Sequence, residues 1–444
     1  MSERPPYGGA TWKLVLAFDI GTTYSTISYS ILHPGYSPEI LDVTRYPSTG
    51  RVGGSSKILS IVYYDREGTP RAFGWEALQE SIIEIAEDEQ WVKAEWWKLH
   101  LRPRNMPSTH INDSDIPALP PSKTVIEILG DFMRYLFQCA KTYIEESHEN
   151  GRAMWTSFQD NIDFVLSHPN GWKGPQQSQI RQAAVMAGLV PDTPNGQARI
   201  QLITEDEATL HYCLGYRHAV DGFQDLEDPQ ENVGVMVIDA GEETIDISSY
   251  YILLSTRTFL EIAPAAQCRL QGSVLITQRA EEYLGRKLLG SRFGTREDII
   301  QMKIEFDKTT KLRFRNPNES SYIRFGTVRD RDPAFNIRSG QLKIPGSDVA
   351  ALFEPSVDDI ITAVEEQRRT VTEPISSVFL TGSFGASDWL FTRLKNYLEP
   401  LNLQFCRPDS HTNKAVARGA VAFYLDHRRG PATVVFDHVI EAAS

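Results

Sequence analysis

Residues 14–32 read LVLAFDIGTTYSTISYSIL. An unbroken apolar run ends at Asp19, the stretch Asp19-Ile20-Gly21-Thr22-Thr23 has turn chemistry, and Ile27, Tyr29 and Ile31 then alternate with polar residues. This pattern predicts a buried strand, a tight turn and an antiparallel partner strand. Roughly half the chain later, residues 233–253 read VGVMVIDAGEETIDISSYYIL: again a buried strand, an Asp-x-Gly-x-x-Thr turn and an alternating strand. Recurrence of one hairpin at that distance implies that a whole lobe is repeated.

Strands and helices alternate between and beyond the two hairpins, which argues an α/β chain. Residues 33–75 hold short strand-like pieces such as Ile58 to Tyr64 among Gly, Pro and Ser, an excursion from the main sheet. Helical spacing covers Ser81 to Leu101, and a proline-rich loop follows from Pro103 to Ser122. Thr124 with Glu127 forms a capping box before an apolar stripe running from Val125 to Ala140. Asn161 to Ser167 reads as a strand, Gln176 to Ala187 as a helix closed by Gly188, Ile200 to Thr204 as a strand, and Glu205 to Tyr216 as a helix. The acidic, breaker-rich 221–232 marks the lobe boundary. Helices are expected at 274–290, 296–313, Ala350 to Arg369 and Lys414 to Asp426, with a strand at SSVFLTG and a polar stretch up to Gly346.

At about 150 residues per domain, 444 residues make roughly three domain-sized units, enough to bury a sizeable core. The formal charge of −13 disfavours nucleic-acid backbones and anionic membranes as general partners. Cys139, Cys213, Cys268 and Cys406 are widely spaced, which suits free thiols in a reducing compartment. There is no membrane-length apolar run, and a cytoplasmic protein is expected. His211, Cys213 and His218 lie on a helical stretch without a second ligand pair, so packing is the reading for them rather than metal.

An Asp-x-Gly-x-Thr hairpin turn can aim backbone N–H groups and small hydroxyls into a concavity that suits phosphate oxygens. Two such turns, one from each lobe, would grip a polyphosphate from both sides. Asp19 and Asp239 would then address a shared Mg²⁺ through its waters, since Mg²⁺ keeps much of its hydration shell. The competing reading is a pair of plain β-hairpins, whose turns also favour Asp and Gly. No G-x-x-x-x-G-K-[ST] loop is present, so a P-loop NTPase is not supported.

DIGTTYS resembles the first phosphate motif of the heat shock protein 70 family, within the actin-like ATPase superfamily. The likeness runs in order from Leu14 to about Leu425, through HPNGW at 168–172, LITEDEATLHYCLGY, DAGEETID at 239–246, FLTGSFGAS at 379–387 and AVARGAVAFYL at 415–425. EWWKLHL and FGAS are similar to a divergent fungal and animal branch without a standard peptide-binding domain. The resemblance implies an actin-like (ribonuclease H-like) duplicated α/β fold, two lobes around a central nucleotide cleft. Lobe I would span 11–230 with an insertion at about 41–119, and lobe II 231–428 with an insertion at about 274–345. A short tail, 429–444, leaves no peptide-binding domain, although its VVF could pair with a sheet edge. ATP or ADP with Mg²⁺ is the implied cofactor, and a protein partner or client the implied output.

Roles follow from the same resemblance. Asp19, Lys98, Glu205 and Asp239 would be catalytic, with Asp19 and Asp239 also serving the metal. Gly21, Thr22, Thr23, Tyr24, Gly241 and Thr244 would hold phosphates. Gly272 and Ser273 would approach ribose and phosphate, Lys308 or Lys311 the adenine and ribose, and Gly382 and Ser383 the adenine face. The family's second phosphate loop reads Asp-x-Gly-Gly-Gly-Thr, whereas here Glu242 and Glu243 replace two glycines. One carboxylate about 4 Å from a phosphate at an effective dielectric near 20 costs on the order of 4 kcal/mol. Three functions stay open: a slow ATPase whose lobe closure regulates a partner, a degenerate pseudo-ATPase scaffold, and a small-molecule kinase of the superfamily.

Overall fold

The computed structural model describes residues 4–48, 56–103, 116–170, 172–215, 233–242, 244–253, 258–261, 267–269, 271–408 and 414–427. The boundary segment 221–232, His218, Gly171, Glu243 and the tail 429–444 lie outside the described residues. The architecture is mixed α/β and divides into two compact units. One comprises the described residues of Ser2–Pro103, Ile116–Tyr212 and Val416–Ser444, the other those of Cys213–Ala415.

The first unit is built on β1 (Lys13–Ile20), β2 (Tyr24–Leu32), β3 (Leu41–Asp42), β4 (Ile58–Leu59), β8 (Ile162–His168) and β9 (Ile200–Thr204). These form one sheet in the order β3-β2-β1-β8-β9, with β4 also pairing β2. β1 runs antiparallel to β2, in a register that sets Asp19 opposite Thr26, and parallel to β8. Leu14 to Phe18 are almost fully buried, because β1 is central and covered on both faces. A second small sheet, β6-β5-β7, joins β5 (Val62–Tyr64), β6 (Pro70–Phe73) and β7 (Val92–Ala94).

The expected helix over 81–101 is only partly present. Helix α1 spans Glu80–Asp88, β7 follows, and a 3-10 turn covers Trp97–Leu101. Gln90 and Trp96 take positive φ angles of 56° and 53°, which a continuing helix cannot accommodate. By contrast α2 (Val125–Ser147) starts at the Thr124 capping box and buries Ile128, Phe132, Met133, Leu136 and Ile144. Each such side chain stabilises by roughly 1.5–3 kcal/mol. Helices α3 (Gly174–Met186) and α4 (Glu205–Gly215) complete the pattern.

The second unit repeats the scheme with β10 (Val233–Ala240), β11 (Ile245–Leu253), β12 (Thr258–Glu261), β13 (Gln267–Arg269), β17 (Ile375–Thr381) and β18 (Gln404–Cys406). The order is β12-β11-β10-β17-β18, with β13 on β11. β10 is again antiparallel to the strand after it and parallel to β17, with Asp239 opposite Asp246. Helices α5 (Ser273–Lys287), α6 (Arg296–Glu305) and α7 (Gly346–Thr370) cover this sheet and its neighbour. The polar stretch before Gly346 holds a third small sheet, β14 (Ser321–Arg324), β15 (Ile337–Arg338) and β16 (Gln341–Ile344), ordered β14-β16-β15.

The sequence reading ends the second lobe with the helix after Lys414. In the structure that helix, Ala415–His427, packs with the first unit: Arg418 pairs with Asp42 at 2.7 Å and Tyr424 donates to Asp163. Gly419 lies so close to α4 that a Cβ would sit 1.7 Å from the Ala208 carbonyl oxygen. Two rigid backbones meet there, so Gly419→Ala is expected to destabilise by about 3 kcal/mol or more, beyond most overpacking substitutions. Thermal denaturation checks this: a melting temperature unchanged from the parent would show that the helices separate without cost.

Candidate functional site

In the first unit the parallel neighbours β1 and β8 bring Asp19 and Ser167 to the same sheet end. Ser167 Oγ donates to Asp19 Oδ1 at 3.1 Å. Lys98, on the turn Trp97–Leu101, donates to Glu205 Oε1 at 2.8 Å, and its ammonium lies 5.7 Å from the Trp172 ring centre. Lys98 is only 8% exposed, so its ammonium would be costly to bury without that partner. Trp97 anchors the turn, fully buried, with Nε1 donating to the Ser60 carbonyl at 2.9 Å. A small, mostly apolar recess backs the cluster, with Leu101, Leu129, Leu166 and Trp172 in its wall.

Asp19 keeps some accessible surface, but protein atoms displace most of its water. Burial, then the nearby Glu205 charge, push its carboxyl up to about 6, against the pull of Lys98, the Ser167 hydrogen bond and Lys57. Such a site is short of positive charge. Asp19 and Glu205 carboxylates with a Ser167 hydroxyl form an all-oxygen donor set, the type that hard divalent cations prefer. Among the described residues no three His, Cys, Asp or Glu side chains form a closed metal cage. Asp19 is the carboxylate of this cluster that could face a hydrated divalent cation.

The turn after Asp19 is braced by a residue that sequence reasoning missed. Ser60 N–H donates to the Thr23 carbonyl at 2.9 Å, Ser60 Oγ to the Gly21 carbonyl at 2.8 Å, and Gly21 N–H to the Tyr24 carbonyl at 3.1 Å. Carbonyl oxygens that would repel an anion are thereby held on protein donors. The second unit shows the same device. Gly241 N–H donates to the Thr244 carbonyl at 2.8 Å, while the Gly241 and Glu242 carbonyls accept from Ser273 and Val274 N–H at 3.3 and 2.8 Å. These last two contacts cap the N-terminus of α5.

Asp239 occupies on β10 the position that Asp19 has on β1. Thr381 Oγ1 donates to its Oδ1 at 3.3 Å, and Thr244 Oγ1 donates to Asp246 Oδ2 at 3.0 Å. Gly382 has φ 84°, and a Cβ there would lie 2.4 Å from Asp239 Oδ1 and 2.2 Å from the Ala240 carbonyl oxygen. Only glycine meets both demands. Half-buried Ser383 follows it. Gly272 precedes α5, whose Ser273 joins Thr277 and Asp307 around the buried Lys311 ammonium, at 3.4, 3.2 and 2.5 Å. A π-helical turn, Phe306–Thr310, lies just before Lys311; Lys308 within it is exposed and does not join the group.

The structure thus gathers Asp19, Lys98 and Glu205 into one cluster. It sets Thr22, Thr23 and Tyr24 on the braced first turn, and Asp239, Gly241, Thr244, Gly272, Ser273, Lys311, Gly382 and Ser383 on adjoining elements of the second unit. Ser60, Ser167, Thr277, Asp307 and Thr381 were not found from sequence, and only for Thr381, inside the FLTG strand end, was a signal present. His211 and Cys213 are buried in α4, and no membrane-length apolar helix occurs among the described residues.

No family model matches the chain. It is 23% identical to heat shock 70 kDa protein 12A of Homo sapiens over 505 residues, which cover 95% of this chain and 72% of the relative. The same protein of Mus musculus is 22% identical over 503 residues. Heat shock 70 kDa protein 12B of Homo sapiens is 26% identical over 215 residues, 47% of this chain and 29% of the relative. This distant similarity over most of the chain supports a heat-shock-70-like protein, and the mixed α/β architecture is consistent with an actin-like ATPase fold.

Asp19 generates a pH test. Its folded-state value near 6 lies above the ordinary 3.8, so the folded chain holds this proton more tightly than the unfolded chain. Its ionisation therefore costs stability as pH rises from about 4 to 6, a loss of up to about 3 kcal/mol that persists at neutral pH. Asp19→Asn should melt higher than the parent at pH 7.5, with the two curves converging below pH 4. A variant that melts lower at pH 7.5 would contradict the electrostatic account.

Proposed function

We propose that this chain binds Mg-ATP, hydrolyses it slowly and uses the resulting change between its two units to regulate a protein partner. The observation that carries the reading is the Asp19 environment: a carboxylate held short of positive charge beside a buried, paired lysine, next to a turn whose carbonyls are tied to Ser60. The matching turn after Asp239, with its Gly241-to-Thr244 hydrogen bond, supports a second set of phosphate contacts. The distant similarity to heat shock 70 kDa proteins 12A and 12B points the same way.

In this reading Thr22, Thr23 and Thr244 present hydroxyls and N–H groups to phosphate oxygens. Asp19 and Asp239 would each be available to hold waters of a bound Mg²⁺, whose charge would offset that of the phosphates. Lys98 gives up part of its Glu205 contact to face the terminal phosphate, and Glu205 then accepts a hydrogen bond from the attacking water. Lys311, fixed by Ser273, Thr277 and Asp307, contributes on the ribose side, and the backbone at Gly382-Ser383 faces the base.

A second reading rests on Glu242. It sits half-buried in the second turn, where a carboxylate opposes a polyanion, and favours a scaffold that has lost turnover. Calorimetry separates the two. The Mg-ATP reading expects one nucleotide per chain, at least tenfold weaker in Asp19→Ala and in Asp239→Ala alike, and tighter binding in Glu242→Gly. No binding by the parent, with binding recovered when Glu242 and Glu243 are both replaced by glycine, would instead establish the scaffold.

A further inference from the structure

The chain carries −13 overall, yet residues 286–345 hold fourteen Lys and Arg against seven Asp and Glu, a local balance of +7. The small sheet β14-β16-β15 lies within this segment. Its register pairs Tyr322 with Lys343, Arg324 with Gln341 and Arg338 with Gln341. Directly opposed residues share a face, so these five side chains form one outer surface. Ile323, Leu342, Ile344 and Ile337 alternate with them, are almost fully buried, and fix that face outward. Arg324, Arg338 and Lys343 are exposed and form no ion pair with another described residue. Tyr322 stands among them with 54% of its surface exposed.

We propose that this face is a docking site for a short acidic segment, rich in Asp and Glu, of a partner protein. Three unpaired cations on one rigid face give electrostatic complementarity, which sets specificity and encounter rate. Tyr322 adds a flat amphipathic surface of the kind enriched at protein interfaces. Size selects the occupant. Two strands of four residues and one of two make a face of at most roughly 13 by 10 Å, the footprint of a few extended residues. The rest of the chain is strongly acidic, so a long nucleic acid or a flat anionic membrane would meet repulsion beyond this patch, whereas a short segment would not. The site is independent of the nucleotide reading.

Fluorescence anisotropy of the full chain tests it, with a labelled octapeptide of alternating Asp and Glu around a central Leu. Binding should weaken at least tenfold between 50 and 300 mM salt, and at least tenfold in the double variant Arg324→Glu, Lys343→Glu. The milder Arg324→Gln, Lys343→Gln pair, whose melting temperature is checked against the parent, should weaken it severalfold. A twelve-residue oligothymidylate and phosphatidylserine vesicles serve as competing probes. No peptide binding, peptide binding indifferent to both double variants, or tighter binding of either competing probe through the same residues would overturn the proposal.

Discussion

A buried ammonium is costly without a partner, and Lys98 meets Glu205 at 2.8 Å. The pair joins two pieces of the first unit, the turn Trp97–Leu101 and the junction of β9 with α4, and its charges reach Asp19 at the end of β1. Glu205 answers Lys98 and simultaneously burdens Asp19, whose carboxyl it helps to push upward. One ion pair therefore leaves a third charge unbalanced. A cation near Asp19 would restore balance, which is what the proposed metal-bound polyphosphate would bring.

The second unit uses the same backbone scheme with different chemistry. Strand pairing, register and the Gly-to-residue-plus-three hydrogen bond recur, but its charged centre is Lys311 clamped by Asp307 and two hydroxyls. Gly382 presses its backbone against Asp239 where a side chain would collide. The duplicated scaffold holds two carboxylates, Asp19 and Asp239, at matching strand ends, while the surrounding side chains differentiate them. Glu242 marks the point at which this unit departs furthest from a phosphate-binding loop.

The two hairpins were legible because a buried strand, a Gly-containing turn and an alternating strand leave a strong short-range pattern. The capping box at Thr124 was legible for the same local reason. The β14-β16-β15 sheet was not, since strands of two to four residues among Asn, Pro and Gly carry too little periodicity. Residues 81–101 misled because apolar spacing continues past Asp88, while the left-handed backbone at Gln90 and Trp96 leaves no clear mark in sequence. Ser60 and Ser167 reach the site only through strand pairing across long separations, so no spacing rule finds them. Of the two lysines, Lys311 is buried beside Ser273, and Lys308 faces solvent, a difference that their spacing does not reveal.

In the proposed reading Asp19 faces a hydrated cation, and the pH dependence of stabilisation by Mg-ATP, read as a thermal shift for the parent and for Asp19→Asn, tests this. A clear shift is expected at pH 7.5 that fades as pH falls below about 6, with little shift at either pH in the variant. Equal shifts at pH 5 and 7.5, or a variant that behaves as the parent, would contradict it.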